Sequence, residues 1–302
     1  VARDFKVKGD NRQFEVFAAM PSIEAKRLLF RMAMLDGSVG GDRRRGAVKL
    51  MFIDIKKAHL NGKLTEDEYA YVQLPIEAGG GVGRLRRWLY GMRQAASAWE
   101  EDYSKNLESI GFTRGKSAST TFFHAETGVR LVVWGDDFTF LGRDEDLKKM
   151  RGHLNEWYET TSRGTLGPEA GDDKEVRILN RTLKWGIDEI TYEGDDKQSK
   201  TVMAARGLQS DSKGLDQAVI KEDTGEDESK ELEATAAKRY RIIAAVVNYM
   251  SLDRPDLQFA ASVLGRSMSR PTVAAEAKLK KVARYLLSHP RVIYSYIAGQ
   301  MK

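Results

Sequence analysis

Three carboxylates stand where carboxylates are costly. Asp54 lies near the end of the apolar run AVKLMFIDI (residues 47–55), a segment of strand length and composition. Asp136 and Asp137 sit inside VRLVVWGDDFTFL (129–141), two apolar runs around GlyAspAsp, the pattern of a hairpin with its acids at the turn. A carboxylate at the end of a buried strand loses hydration and needs a cation to offset the loss. If the hairpin lies beside the Asp54 strand, the three acids meet and repel one another unless metal ions intervene. Two magnesium ions about 3.5–4 Å apart, or manganese in their place, would answer that charge, and such a pair serves in-line displacement at phosphate. Taken singly the signals are weak: an Asp at a strand end is more often a cap or an ion-pair partner, and GlyAspAsp is often only a turn.

Composition narrows the alternatives. The chain has no cysteine, which removes disulfides, thiol nucleophiles and cysteine-bound zinc. Its four histidines (His59, His124, His153, His289) include no pair at the i, i+4 spacing of a helical zinc site, so a hard cation on carboxylates remains. The net charge of +5 is unevenly distributed: residues 236–302 hold 12 Lys and Arg against 3 acids, and the rest of the chain nets negative. That basic segment fits either a nucleic-acid backbone or a solvated helical surface. No apolar run approaches the roughly 20 residues of a membrane-spanning helix, so a membrane role is not expected. The chain opens on Val1 without a charged and apolar leader, and the expectation is a fragment with no secretion signal.

The elements that must position these groups follow from periodicity. A helix is predicted over residues 22–36, capped by Ser22, with Ala25, Leu28, Leu29, Met32 and Leu35 at helical spacing and Gly37 as a stop. A turn over 37–46 leads into the Asp54 strand. The repeat Leu89, Met92, Ala96, Trp99, Tyr103, Leu107, Ile110 predicts one helix from Trp88 to Ile110, with Gly111 after it. A Gly-rich loop is expected at 164–171, followed by short strands in VRILNRTLKW and EITYEG. Residues 209–233 carry nine acids and little that is apolar, which reads as a solvated linker. Beyond it AKRYRIIAAVVNYM and TVAAEAKLKKVARYLLSH are helical, with Leu279, Val282, Ala283, Leu286 and Leu287 on one face, so the last part is expected to be all helical.

Four blocks, in order, resemble the copia-type retrotransposon reverse transcriptases. FIDIKKAHLNGKLTEDEYAYVQLP (52–75) is similar to the first catalytic block of that family, an Asp strand followed by an AlaPheLeuAsnGly turn and an acidic hairpin. GRLRRWLYGMRQAASAWEEDYSKNLESIGFTRGKSASTTFF (83–123) resembles the LeuTyrGlyLeuLysGlnAlaProArgAlaTrp block, and VVWGDDFTFLG (132–142) the TyrValAspAsp hairpin. YRIIAAVVNYMSLDRPDLQFAASVLGRSMSRPT (240–272) matches the helical region with its ArgProAsp, and residues 1–29 resemble the fingers segment that leads into the first helix.

The resemblance implies an α+β right-hand polymerase with an antiparallel palm sheet backed by helices. Partial fingers and palm would occupy 1–205, an acidic linker 206–235, and a basic helical thumb or connection 236–302. It implies RNA-directed DNA polymerase activity on an RNA template, a DNA primer and deoxynucleoside triphosphates, with Asp54, Asp136 and Asp137 as catalytic metal ligands. Gln94 and Arg93 would contact nucleotide or template, although on residue type alone Gln94 also reads as a solvent-facing helix position. Arg239, Arg241, Arg270, Lys278, Lys280, Lys281 and Arg284 would track the backbone of primer and template. The family usually carries an aromatic gate five residues after the first Asp; here His59 stands there, and an imidazole can bond a ribose hydroxyl that a phenyl ring only excludes. Trp134 and Gly135 replace the usual Tyr and branched residue, and Ala96 and Ser97 the usual ProArg.

By the same resemblance the chain belongs inside a longer polyprotein, in an intracellular setting such as a cytoplasmic particle or the nucleus. Three other readings compete. GlyAspAsp also marks RNA-dependent RNA polymerases; a decayed element would leave a nucleic-acid-binding remnant; and GGGVGRLRR (79–87) could be taken for a phosphate loop, but it lacks the GlyLysSer/Thr ending.

Overall fold

A computed structural model describes residues 17–35, 47–65, 68–209, 212–216 and 230–299. The fingers segment 1–16, the turn expected at 37–46 and residues 210–211 and 217–229 of the expected linker lie outside the described residues. The architecture is mixed α/β with antiparallel pairing, in agreement with the coarse form of the expectation. In chain order the strands are β1 (Val48–Ile55), β2 (Tyr71–Gln73), β3 (Val82–Arg84), β4 (Phe112–Arg114), β5 (Thr121–His124), β6 (Arg130–Trp134), β7 (Asp137–Arg143), β8 (Thr160–Leu166), β9 (Glu175–Ile178), β10 (Arg181–Trp185), β11 (Glu189–Gly194) and β12 (Ile293–Ile297). The helices are α1 (Ile23–Ala33), α2 (Ala95–Ser109), α3 (Asp144–Trp157), α4 (Lys197–Ala204), α5 (Ala234–Met250), α6 (Pro255–Arg266) and α7 (Val273–Ser288). Three sheets result: a six-stranded one in the order β4-β5-β6-β7-β1-β8, a four-stranded one in the order β12-β11-β10-β9, and the isolated ribbon β2-β3.

The chain divides into two compact units. The first runs to Val176 and includes Trp185–Ile190 and the residues from Tyr296; the second comprises Arg177–Lys184 and Thr191–Ser295. In the first unit the strand period of two sorts the six-stranded sheet into two faces. Met51, Ile53 and Ile55 of β1, Leu131 and Val133 of β6, and Phe138 and Phe140 of β7 pack against Trp99, Tyr103 and Leu107 of α2 and Leu147, Met150 and Leu154 of α3. The opposite face carries Phe52, Asp54, Trp134, Asp137 and Thr139, and α1 packs against β1, β6 and β7. Near the far end of β1, Lys49 is buried among Asp144, Glu169 and Asp172 at 3.3, 2.6 and 2.6 Å. Burial alone would lower its pKa, but these three partners outweigh it and raise it. The loop after β8 is thereby tied to the sheet.

Several elements differ from their prediction for local reasons. α1 is capped by Ser22, whose hydroxyl accepts from the Ala25 amide, yet its core face is Ile23, Lys26, Leu29, Phe30 and Ala33, with Leu28 exposed. The predicted helix from Trp88 begins only at Ala95, because Gly91 has φ +91°, outside helical space. Trp88 is buried all the same, and the false extension of the repeat rested on Leu89 and Met92. The expected loop at 164–171 starts inside β8. VRILNRTLKW is a hairpin rather than one strand, since Leu179 and Asn180 both take positive φ (+44° and +60°) between β9 and β10. The last part is not all helical, for β12 follows α7.

The second unit packs α4–α7 around Tyr240, Val247, Leu257, Leu264, Leu279, Val282 and Leu286. Its ArgProAsp segment has a structural use. Pro255 opens α6, where its missing N–H costs nothing. Asp253 accepts from Arg181 (2.9 and 3.1 Å) and Tyr192 (2.6 Å). Arg254 donates to Asp256 and to the His289 carbonyl (2.8 Å), and the Tyr285 hydroxyl donates to Asp256 (2.8 Å). Burial favours the neutral form of Asp256, but the bonds from Arg254 and Tyr285 prevail and hold its carboxyl below the ordinary range. The stabilisation is therefore complete above the unfolded pKa of about 4 and is lost as pH falls through the lower folded value. Thermal melts between neutral and strongly acid pH should show a drop in Tm below about pH 4 that is smaller in Asp256→Asn than in wild type.

Candidate active site

Asp54 and Asp137 are directly opposite each other in the β1–β7 ladder, so their side chains leave the same face of the sheet. That face is the one turned away from α2 and α3. Asp136 occupies the two-residue turn between Trp134 and Asp137, which are themselves cross-strand partners, and its carbonyl accepts from the Ile55 amide at 2.9 Å. The turn thus closes on the end of β1. Gly135 takes φ +64° in the first of the two turn positions, which favours glycine and accounts for the loss of the branched residue usual there.

The three acids are electrostatic neighbours. Burial raises the pKa of Asp137, Asp136 and Asp54 raise it further, and Lys26 and Arg163 pull it back. Both of these cations come from outside the motifs. Lys26, only 1 % exposed, sits on the sheet-facing side of α1 with its ammonium 5.7 Å from the centre of the Trp134 ring. Arg163 arrives through an irregularity of β8: Phe52 pairs with Gly164 and Ile53 with Ser162, leaving Arg163 as the extra residue of a bulge. Its guanidinium donates to Asp54 at 3.1 Å.

The donor set is oxygen only and carries more negative charge than the two side-chain cations remove cleanly, which suits a hard divalent cation. Among the described residues no group of three His, Asp or Glu already stands in coordinating geometry. The site is an arrangement of facing acids with an arginine on one of them, rather than a closed cage.

Two aromatic residues hold the surroundings. Trp99 of α2 donates its indole N–H to the Gly135 carbonyl at 2.9 Å and packs edge-on against Tyr103 and Tyr158. A rigid helix thereby pins the turn that carries Asp136. His59 lies in a short 3-10 turn (Ala58–Asn61) after Lys57, whose φ is +53°. Its ring stacks on Tyr90 with centroids 4.5 Å apart. Burial lowers the His59 pKa while the Asp136 charge works in the opposite direction. Its Nδ1 is buried with no hydrogen-bond partner among the described residues.

The remaining expected residues are spread more widely. Arg93 is half-buried just before α2, and Gln94 stands at the N-cap position of that helix without a side-chain capping bond, its amide making a long contact of 3.5 Å to Glu68. In the second unit Arg241 donates to the carbonyls of Met268 and Ser269, Arg270 pairs with Glu231, and Arg284 donates to the Lys213 carbonyl. Arg239 and Lys280 are exposed, while Lys278 and Lys281 are half-buried. Lys26, Tyr90, Trp99 and Arg163 were not among the expected site residues. A lysine in the core phase of an amphipathic helix was the one sequence signal that could have marked Lys26. No such sign existed for Arg163, whose role depends on a bulge.

Comparison with known proteins gives a consistent answer. A family model described as reverse transcriptase (RNA-dependent DNA polymerase) matches residues 1–166, more than half of the chain. The retrovirus-related Pol polyprotein from transposon RE1 of Arabidopsis thaliana is 25 % identical over 245 residues, covering 79 % of this chain and 16 % of that protein. The corresponding polyprotein from transposon TNT 1-94 of Nicotiana tabacum is 23 % identical over 246 residues, 78 % of this chain and 18 % of its own length. The chain therefore spans less than a fifth of either relative. Facing acids on an antiparallel ladder, the ordered motif blocks and the family match lead to one conclusion: this chain belongs to the reverse transcriptase (RNA-dependent DNA polymerase) family.

Proposed function

We propose that the chain is the polymerase portion of a copia-type retrotransposon reverse transcriptase, adding deoxynucleotides to a primer 3′ end on an RNA template and releasing pyrophosphate. The observation that carries this reading is the register that sets Asp54 against Asp137 with Asp136 in the adjoining turn. Asp54 and Asp136 would bind both of two magnesium ions, with manganese as a substitute, and Asp137 would assist. Bound there, divalent cations supply Lewis acidity to a hydroxyl nucleophile and charge neutralisation to a polyphosphate.

The side chains of the protein do the positioning. Arg163 and Lys26 offset part of the acid charge, so that the carboxylates can gather before a substrate arrives. Trp99 fixes the turn, and the His59–Tyr90 stack forms a wall where the sugar of an incoming nucleotide would lie. In the wider assignment the palm and partial fingers extend to residue 205, 206–235 is the acidic linker, and 236–302 is the thumb or connection. There Arg239, Arg241, Arg270, Lys278, Lys280, Lys281 and Arg284 follow the backbone, and Arg93 and Gln94 contact nucleotide or template. Other segments of a parent polyprotein are the natural partners, in an intracellular particle or the nucleus. No described helix is long and apolar enough to cross a membrane.

Primer extension on an RNA template tests the reading. Wild type should extend with deoxynucleotides in the presence of magnesium, and Asp54→Asn and Asp136→Asn should reduce extension to background. Equal signals from wild type and variants, including equal absence, would identify a nucleic-acid-binding remnant, and incorporation of ribonucleotides alone an RNA polymerase. A second expectation concerns stability. Because Asp137 is a half-buried carboxylate beside two others, Asp137→Asn should raise Tm in the presence of a chelator and shrink the rise in Tm that magnesium gives wild type. A lower Tm in chelator would contradict the proposed charge balance.

A further inference from the structure

The β2–β3 ribbon has two unlike faces. Ala70, Val72, Leu74 and Leu85 are buried or half-buried on one side, where Gly83 lies so close that a Cβ would stand 3.0 Å from the Leu74 side chain. On the other side Tyr71 pairs with Arg84 and Gln73 with Val82, and all four are exposed. The bond from the Leu85 amide to the Ala70 carbonyl (2.8 Å) carries the ladder one step further, so Tyr69 and Arg86 extend this outer face. Tyr69 is 65 % exposed and Tyr71 61 %. The Arg84 guanidinium lies over the Tyr69 ring, 4.7 Å from its centre.

That composition is unusual for a solvated strand face, where threonine and mixed charges are the ordinary choice. Tyr69, Tyr71, Gln73, Val82, Arg84 and Arg86 include no acid. Glu68, one residue before Tyr69, is occupied with the Thr65 amide (2.8 Å) and Gln94. Lys63 and Arg87, bridged to each other at the foot of the ribbon, are also exposed. Two residues along a strand set the rings about 7 Å apart, far enough for each to receive a separate base. Exposed rings with interleaved arginines match a flexible strand of bases and phosphates: stacking is indifferent to base identity, and each guanidinium adds phosphate neutralisation. A duplex hides its base faces and offers the rings nothing.

We propose that the outer face of the β2–β3 ribbon binds single-stranded nucleic acid, with bases stacked on Tyr69 and Tyr71 and phosphates held by Arg84 and Arg86. The ribbon grows out of the candidate active site. It is entered after the turn that carries His59 and left just before Tyr90, the ring on which His59 stacks. Its foot is closed by the bond from the Trp88 amide to the Gly62 carbonyl (3.0 Å) and by Arg87 donating to the Leu60 carbonyl (3.3 Å). If the polymerase reading holds, the bound strand is the unpaired template; the binding itself does not depend on that reading.

The test is fluorescence anisotropy of the full chain with a fluorescein-labelled single-stranded oligouridylate, in chelator and without nucleotide. The double variant Tyr69→Ala, Tyr71→Ala should weaken binding by about tenfold or more, and Tyr69→Phe, Tyr71→Phe should bind as wild type. Arg84→Gln with Arg86→Gln should weaken binding and flatten its salt dependence. The positions are exposed, so all variants should keep the wild-type Tm. Binding by the alanine pair within about twofold of wild type, or an equal loss in the phenylalanine pair, would overturn the proposal. So would unchanged RNA binding joined to loss of self-association in sedimentation velocity, which would assign the face to a second copy of the chain. Asp54→Asn should bind the oligonucleotide normally, so failure of primer extension and failure of the ribbon are read separately.

Discussion

Two strands that hydrogen-bond to each other place one carboxylate from each on the same face, and a third acid occupies the turn beside them. Such a grouping resists folding, because the acids are brought close to like charge and Asp137 also loses water. The β1–β7 register that imposes it is held by a layer of Met51, Ile53, Phe138 and Phe140 on the reverse of the same strands. A slip of one residue would carry these apolar side chains to the acid face and the acids into the core. Hydrophobic burial on one face thus maintains charge crowding on the other.

The surrounding elements serve that arrangement. α1 contributes a lysine from its core phase, and the bulge in β8 aims Arg163 at Asp54. Side-chain cations of this kind lower the cost of gathering acids: Lys26 and Arg163 both pull the Asp137 pKa back down. Trp99 acts on the backbone of the turn, where a small rotation would move Asp136 and Asp137 together. Flexibility in the turn is limited by its own geometry as well, because only Gly135 needs the left-handed conformation.

Much of this was legible in the sequence. The strand that carries Asp54 and the hairpin around GlyAspAsp were legible because strand length, alternation and a two-residue turn are local properties, whereas their pairing was only a condition until the β1–β7 register was seen. The helical faces of α5 and α7 were readable for the same reason. What was not readable depended on distant partners or on backbone conformation. Leu89 and Met92 kept the helical phase of α2 while Gly91 broke the helix, and the hairpin β9–β10 was concealed because Leu179 is not a residue that advertises positive φ. Lys26 is marked only by its place in the core phase of an amphipathic helix, and Arg163 carries no mark until the bulge of β8 is in place. The ribbon face was visible only as letters, since nothing in the sequence says that Tyr69, Tyr71, Arg84 and Arg86 share one exposed side.

The central claim is that residues 54, 136 and 137 share a divalent cation. Anomalous diffraction from crystals of the full chain grown with manganese addresses it most directly. The account predicts a peak within coordination distance of the Asp54 and Asp136 carboxylates, with Arg163 displaced from Asp54. Density on other residues alone, or an acid cluster still bridged by Arg163 at saturating manganese, would contradict it.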